Sequence, residues 1–142
     1  MTQTGFMMLK KLSVAFLITL LAGCGSASFN SALSTTYISK VNYQDVFERA
    51  REQANYCWRT ETGYPVVAEL NSTNKTAFVA VTGLFGSSRM AELTAREVEG
   101  NSTEVKIAVD GVSVWNAGAI RAMKDAVEFG VPSCTSYMPT KS

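Results

Sequence analysis

The sequence contains no histidine. That excludes histidine general acid–base catalysis, every histidine-containing triad and the commonest metal ligand. Net charge is also nearly absent, with 13 Lys plus Arg against 12 Asp plus Glu. No basic field is available to neutralise a phosphate backbone, so nucleic acid is not an expected partner. The 3 prolines and 10 glycines in 142 residues give neither a collagen-like nor a low-complexity composition. Length and composition fit one folded domain of ordinary size. No apolar run reaches the ~20 residues of a membrane-spanning helix.

What the chain does have is an N-terminal address. Lys10 and Lys11 form a short positive region, followed by an apolar run from Leu12 to Leu21 and then small Ala22 and Gly23. A core of this length matches the 7–15 residues of a secretory signal peptide. Leu21-Ala22-Gly23-Cys24 resembles the lipobox of bacterial lipoproteins. The resemblance covers residues 8–24. It implies cleavage of residues 1–23 and acylation of Cys24. Gly25 and Ser26 follow in place of the aspartate that retains such proteins in the inner membrane of enteric bacteria. The resemblance therefore implies a bacterial envelope protein anchored by lipid in the outer membrane, its domain facing the periplasm. Two or more acyl chains give stable anchoring.

Two further cysteines remain, Cys57 and Cys134, in an export compartment that allows disulfides. Their spacing is not the Cys-x-x-Cys of redox motifs, and no histidine stands ready to activate a thiolate. Two distant cysteines without histidine do not make a zinc site, so no metal or other cofactor is expected. The expected role is a structural bridge. Closing a loop of ~77 residues stabilises a fold by roughly 4.5 kcal/mol on the chain-entropy model.

Residues 24–39 read as the lipidated cysteine and a flexible, uncharged tether, residues 40–138 as the domain and 139–142 as a tail. A helix is expected over 42–58, capped by Asn42, with Tyr43, Val46, Phe47, Ala50, Ala54 and Cys57 on one stripe. Four strands are expected next: Tyr64 to Leu70, Thr76 to Leu84, Arg89 to Glu99 and Glu104 to Asp110. Pro65 marks the first as an edge strand. Val98 falls out of phase with Ala91, Leu93 and Ala95, which predicts a bulge or twist. Asn71, Asn74 and Asn101 read as turn chemistry. A second helix is expected from about Trp115 to Phe129, capped by Ser113 and ended by Gly130 and Pro132. The fold class is α+β, in the order α-β-β-β-β-α, with a four-stranded antiparallel meander and both helices on one face.

No catalytic constellation is legible, and the expectation is a non-enzyme. Gly83 to Gly86 lacks the lysine and helix of a phosphate loop, and no two carboxylates can be placed opposite one another. The chain reads as a structural, assembly or protein-interaction module, with another envelope protein as partner. Trp58, Tyr64 and Tyr137 are its candidate exposed aromatic patch. The alternative is a small-ligand or lipid-binding module with a pocket between helices and sheet, lined by Phe78, Met90, Trp115 and Met123. A further possibility is strand pairing at the open edge of Tyr64 to Leu70.

Overall fold

A computed structural model describes residues 33–59, 64–83 and 88–135. The elements run β1 (Leu33–Ser39), α1 (Tyr43–Gln53), β2 (Val66–Asn71), β3 (Thr76–Thr82), β4 (Arg89–Val98), β5 (Ser102–Val109) and α2 (Ala117–Phe129). The strands form one antiparallel sheet in the order β1-β5-β4-β3-β2.

The α+β class holds, and β2 to β5 are the expected meander. The expected four strands become five. Leu33–Ser39, read as tether, pairs along its whole length with β5, Leu33 opposite Val109 and Ser39 opposite Thr103. Its sequence, Leu-Ser-Thr-Thr-Tyr-Ile-Ser, shows no apolar–polar alternation. The pairing is imposed by β5, whose outer edge would otherwise present unpaired N–H and C=O groups.

Strand pleating divides the side chains cleanly. Val79 and Val81 of β3, Leu93 of β4, and Val105, Ile107 and Val109 of β5 are fully buried against the helices. From α1 come Val46, Phe47, Ala50 and Ala54, and from α2 come Ala119, Ala122, Met123 and Val127. Both helices thus cover one face of the sheet. The predicted bulge at Val98 is absent, because Val98 pairs regularly with Ser102 and simply points to the other face. The irregularity lies instead between Val81 and Thr82.

Caps fix the helix ends. Asn42 Oδ1 accepts from the Asp45 N–H at 2.9 Å, as expected. The second helix is capped by Asn116 rather than Ser113, its Oδ1 accepting from the Gly118 N–H at 2.8 Å. Ser113 sits in the preceding turn with φ 57°, which takes it out of the capping position and delays the helix by about one turn. Gly130 closes α2 at φ 70°, a left-handed position that glycine occupies without a Cβ penalty. A single π-helical turn, Ala54–Trp58, follows α1. The wider turn lets adjacent Cys57 and Trp58 both face the interior.

Cys57 and Cys134 are joined, with Cα atoms 5.2 Å apart. Beside the bridge, the Gln53 Nε2 donates to the Ser133 carbonyl at 2.8 Å, and Gln53 Oε1 accepts from the Ser133 N–H at 2.7 Å. One turn earlier, Arg49 Nη1 donates to the Val127 carbonyl at 2.7 Å, capping the end of α2. Arg49 Nη1 also donates to the Glu128 carbonyl at 3.2 Å, so one covalent link and four hydrogen bonds fasten the end of α1 to the end of α2 and the segment after it.

Candidate functional site

Trp58 does not belong to the exposed aromatic patch expected from sequence. Trp58 is fully buried, which makes it a core residue and not a contact residue. Its ring meets Trp115 edge-on at 5.7 Å, and Tyr64 meets Trp115 in the same way at 5.7 Å. These edge-to-face contacts seal the core near the start of β2. Tyr64 is half-buried. Tyr137 and Cys24 lie outside the described residues.

The pocket expected between helices and sheet does not assemble. Trp115 and Met123 are buried in the packed core. Phe78 lies between Ala77 and Val79, so strand alternation turns it to the opposite face. Met90 packs at the core margin. The four residues therefore do not converge on one cavity.

A concave feature lies on the sheet face away from the helices. There a hollow of about 430 Å³ is lined by Thr36, Glu69, Phe78, Thr94, Arg96 and Lys106, among others. Two ladders of directly opposed residues cross all five strands here. One runs Thr36, Lys106, Thr94, Phe78, Glu69, and the other Ile38, Glu104, Arg96, Thr76, Asn71. Thr94, Arg96, Glu104 and Lys106 alternate with the buried positions of β4 and β5, which puts them on this face. Thr36 joins them from β1, which the sequence reading took for tether.

Charge on this face is largely self-paired. Arg96 grips Glu104 with both nitrogens, Nε to Oε1 at 2.8 Å and Nη2 to Oε2 at 3.2 Å. The guanidinium's hydrogen bonds hold the Glu104 carboxyl below the usual carboxylate range. Glu104's hydrogen bond in turn raises the pKa of Arg96. Arg89 donates to Glu92 at 2.8 Å while its guanidinium lies 5.2 Å from the centre of the Phe78 ring. Glu69 and Lys106 form no ion pair among the described residues. Also among the described residues, no three of Cys, Asp and Glu come together as metal ligands, and no helix is long and apolar enough to cross a membrane.

One titratable group on the helix side is strongly perturbed. Burial pushes the Tyr37 phenol up, reinforced by the neighbouring Glu128 and Asp125 carboxylates. The Lys124 ammonium lies 4.8 Å from the centre of its ring.

The second surface feature is β2 itself. It ends the sheet, and it is the one described strand with no buried residue. Val67 is 48% exposed and Leu70 36%.

No protein-family model and no curated protein matches this sequence. Among solved structures, the chain is similar to the di-domain ARO/CYC StfQ from the steffimycin biosynthetic pathway. The identity is 13% and the TM-score 0.44, over 69% of this chain. The match spans 44% of that protein's length. A likeness at this level carries no argument about activity.

Proposed function

We propose that this chain is a lipid-anchored protein of the bacterial envelope. In this reading it is held in the outer membrane through Cys24, with its disulfide-bridged domain on the periplasmic side. Its role is non-catalytic, structural or assembly-related, and exercised through contact with another envelope protein.

The observation that carries this reading is the run Lys10-Lys11, the apolar stretch Leu12 to Leu21, and Leu21-Ala22-Gly23-Cys24. A positive region, a short apolar core and a cysteine after small residues are the three parts an exported, acylated chain needs. The cysteine pair favours an oxidising compartment as well. Because β1 begins at Leu33, the link from Cys24 is short. Nine steps of extended chain span at most roughly 30 Å. The domain would thus lie close to the membrane, with the end of the sheet formed by Leu33 and Val109 nearest to it.

The non-catalytic reading is supported by the lack of histidine and by the pairing of Arg96 with Glu104 and of Arg89 with Glu92 on the open face. A carboxylate held by an arginine, as Glu104 is, is a weaker base than a free one. The hollow on that face favours a second reading, in which it takes a small polar ligand against Phe78. Native mass spectrometry of the protein purified gently from its host tests this directly, since a retained small molecule would support it.

The anchoring is tested by labelling cells with a radioactive fatty acid. Label should enter the protein, and Cys24→Ser should abolish it and release the protein from the membrane fraction. The role is tested by reversible crosslinking in intact cells with the lipidated protein as bait. A stoichiometric envelope protein recovered with the parent and lost with Cys24→Ser supports the assembly role. A bait recovered alone counts against it.

A further inference from the structure

The free edge of β2 is open to pairing, and its backbone chemistry can be read residue by residue. The Thr82 N–H donates to the Pro65 carbonyl at 3.1 Å. Pro65 therefore directs its polar groups toward β3. Antiparallel pairs alternate, so Val67, Glu69 and Asn71 do the same, opposite Ala80, Phe78 and Thr76. Val66, Ala68 and Leu70 must then point their N–H and C=O groups away from the sheet, where no strand follows among the described residues.

Proline commonly blunts an exposed edge by removing a donor from it. Here the missing donor of Pro65 lies on the β3 side, so the outer edge keeps all its donors. The strand carries one charge, Glu69, among Val66, Val67, Ala68 and Leu70. The edge is thus largely apolar, exposed on both faces and uncovered among the described residues.

We infer that β2 pairs antiparallel with β2 of a second copy of this chain, about a two-fold axis through Ala68, to give one sheet running through both copies. In this register Val66 lies opposite the partner's Leu70, and Ala68 opposite the partner's Ala68. All three outward-facing residues of each strand are hydrogen-bonded. On the other face Val67 lies opposite the partner's Glu69, so no like charges are directly opposed. Centring the axis on Glu69 would oppose two carboxylates. Centring it on Val67 would leave Leu70 and Asn71 overhanging the seam. The self-complementary register is therefore the one centred on the smallest side chain of the strand. Ala68 and Leu70 are exposed on the helix-bearing face, so the helix layer leaves room for the partner along the seam. A single strand seam is smaller than the roughly 1,200–2,000 Å² of stable interfaces, which makes the dimer reversible and concentration-dependent.

This inference rests on the sheet alone and not on the lipid anchor. It is tested on the full chain purified in mild detergent, by sedimentation over a concentration series. The parent should pass from monomer to dimer. Ala68→Pro removes an outward donor and no β3 bond, so it should raise the concentration at the midpoint by at least about tenfold while the melting temperature stays near the parent's. In parallel, Ala68→Cys should oxidise to a covalent dimer on a non-reducing gel, and Glu52→Cys on the exposed face of α1 should not. A parent that stays monomeric to about 100 µM overturns the inference. So does a dimer that Ala68→Pro leaves intact, a Cys at position 68 that crosslinks no better than one at 52, or a monomer that instead binds extended peptides at β2.

Discussion

Among individual residues, Gln53 has a role its sequence context hides. It sits among Glu48, Arg49, Arg51 and Glu52, so its composition reads as solvent face. In the fold it is fully buried and matched donor to acceptor with the backbone of Ser133. Gln53→Leu keeps the volume and strands both Ser133 groups. It should cost about 1–3 kcal/mol, read as a lower denaturant midpoint with an unchanged slope. Gln53→Glu would keep the acceptor and lose the donor, so it should lose part of this stability as well. Tyr37 makes a pH prediction. Its phenol is held neutral by burial and by Glu128 and Asp125, so its folded pKa lies above that of the unfolded chain. Stability from this group is complete below about pH 10, the ordinary tyrosine value. It declines above that pH, because the unfolded chain releases a proton that the folded one keeps. Tyr37→Phe should flatten the alkaline limb of a stability–pH curve relative to the parent. An identical limb would remove Tyr37 as its source.

For the secondary-structure elements, most of the fold was legible in periodicity. Val105, Ile107 and Val109, and Ala91, Leu93 and Ala95, alternate in the sequence because one face of their strands meets the helices. The stripe of α1 and its Asn42 cap were legible for the same kind of local reason. β1 was not legible: Thr35, Thr36, Tyr37 and Ile38 suit a strand, but they show no apolar–polar alternation, and the edge of β5 supplies the pairing. The α2 cap shifted to Asn116 because the Asp110–Trp115 turn consumes Ser113. The same element-level reasoning makes a contrast in β2. Val67→Pro removes a donor aimed at β3 and should lower the melting temperature clearly, by the loss of about one strand hydrogen bond or more. Ala68→Pro, one residue away, should leave it nearly unchanged. Equal effects in the two variants would mean that the backbone alternation assigned to β2 is wrong.

For the whole molecule, the bridge between Cys57 and Cys134 holds the two helix ends against one side of a single sheet. The double variant Cys57→Ser, Cys134→Ser should lose about 2–5 kcal/mol, visible as a lower melting temperature, and reduction of the parent should reproduce the loss. A variant that melts with the parent would show that Gln53 and Arg49 suffice as fasteners. The sequence by itself determined the α+β class and the inward face of each central strand, and it singled out Cys57 and Cys134 as a pair. These depend on composition, on local spacing and on the small number of cysteines. Tertiary structure alone decided the fifth strand, the burial of Trp58, the side of the sheet that carries the hollow and the direction of the free backbone groups of β2. Each of those depends on which surface a distant segment covers. A residue's own neighbours in sequence carry no record of what lies across the sheet from it.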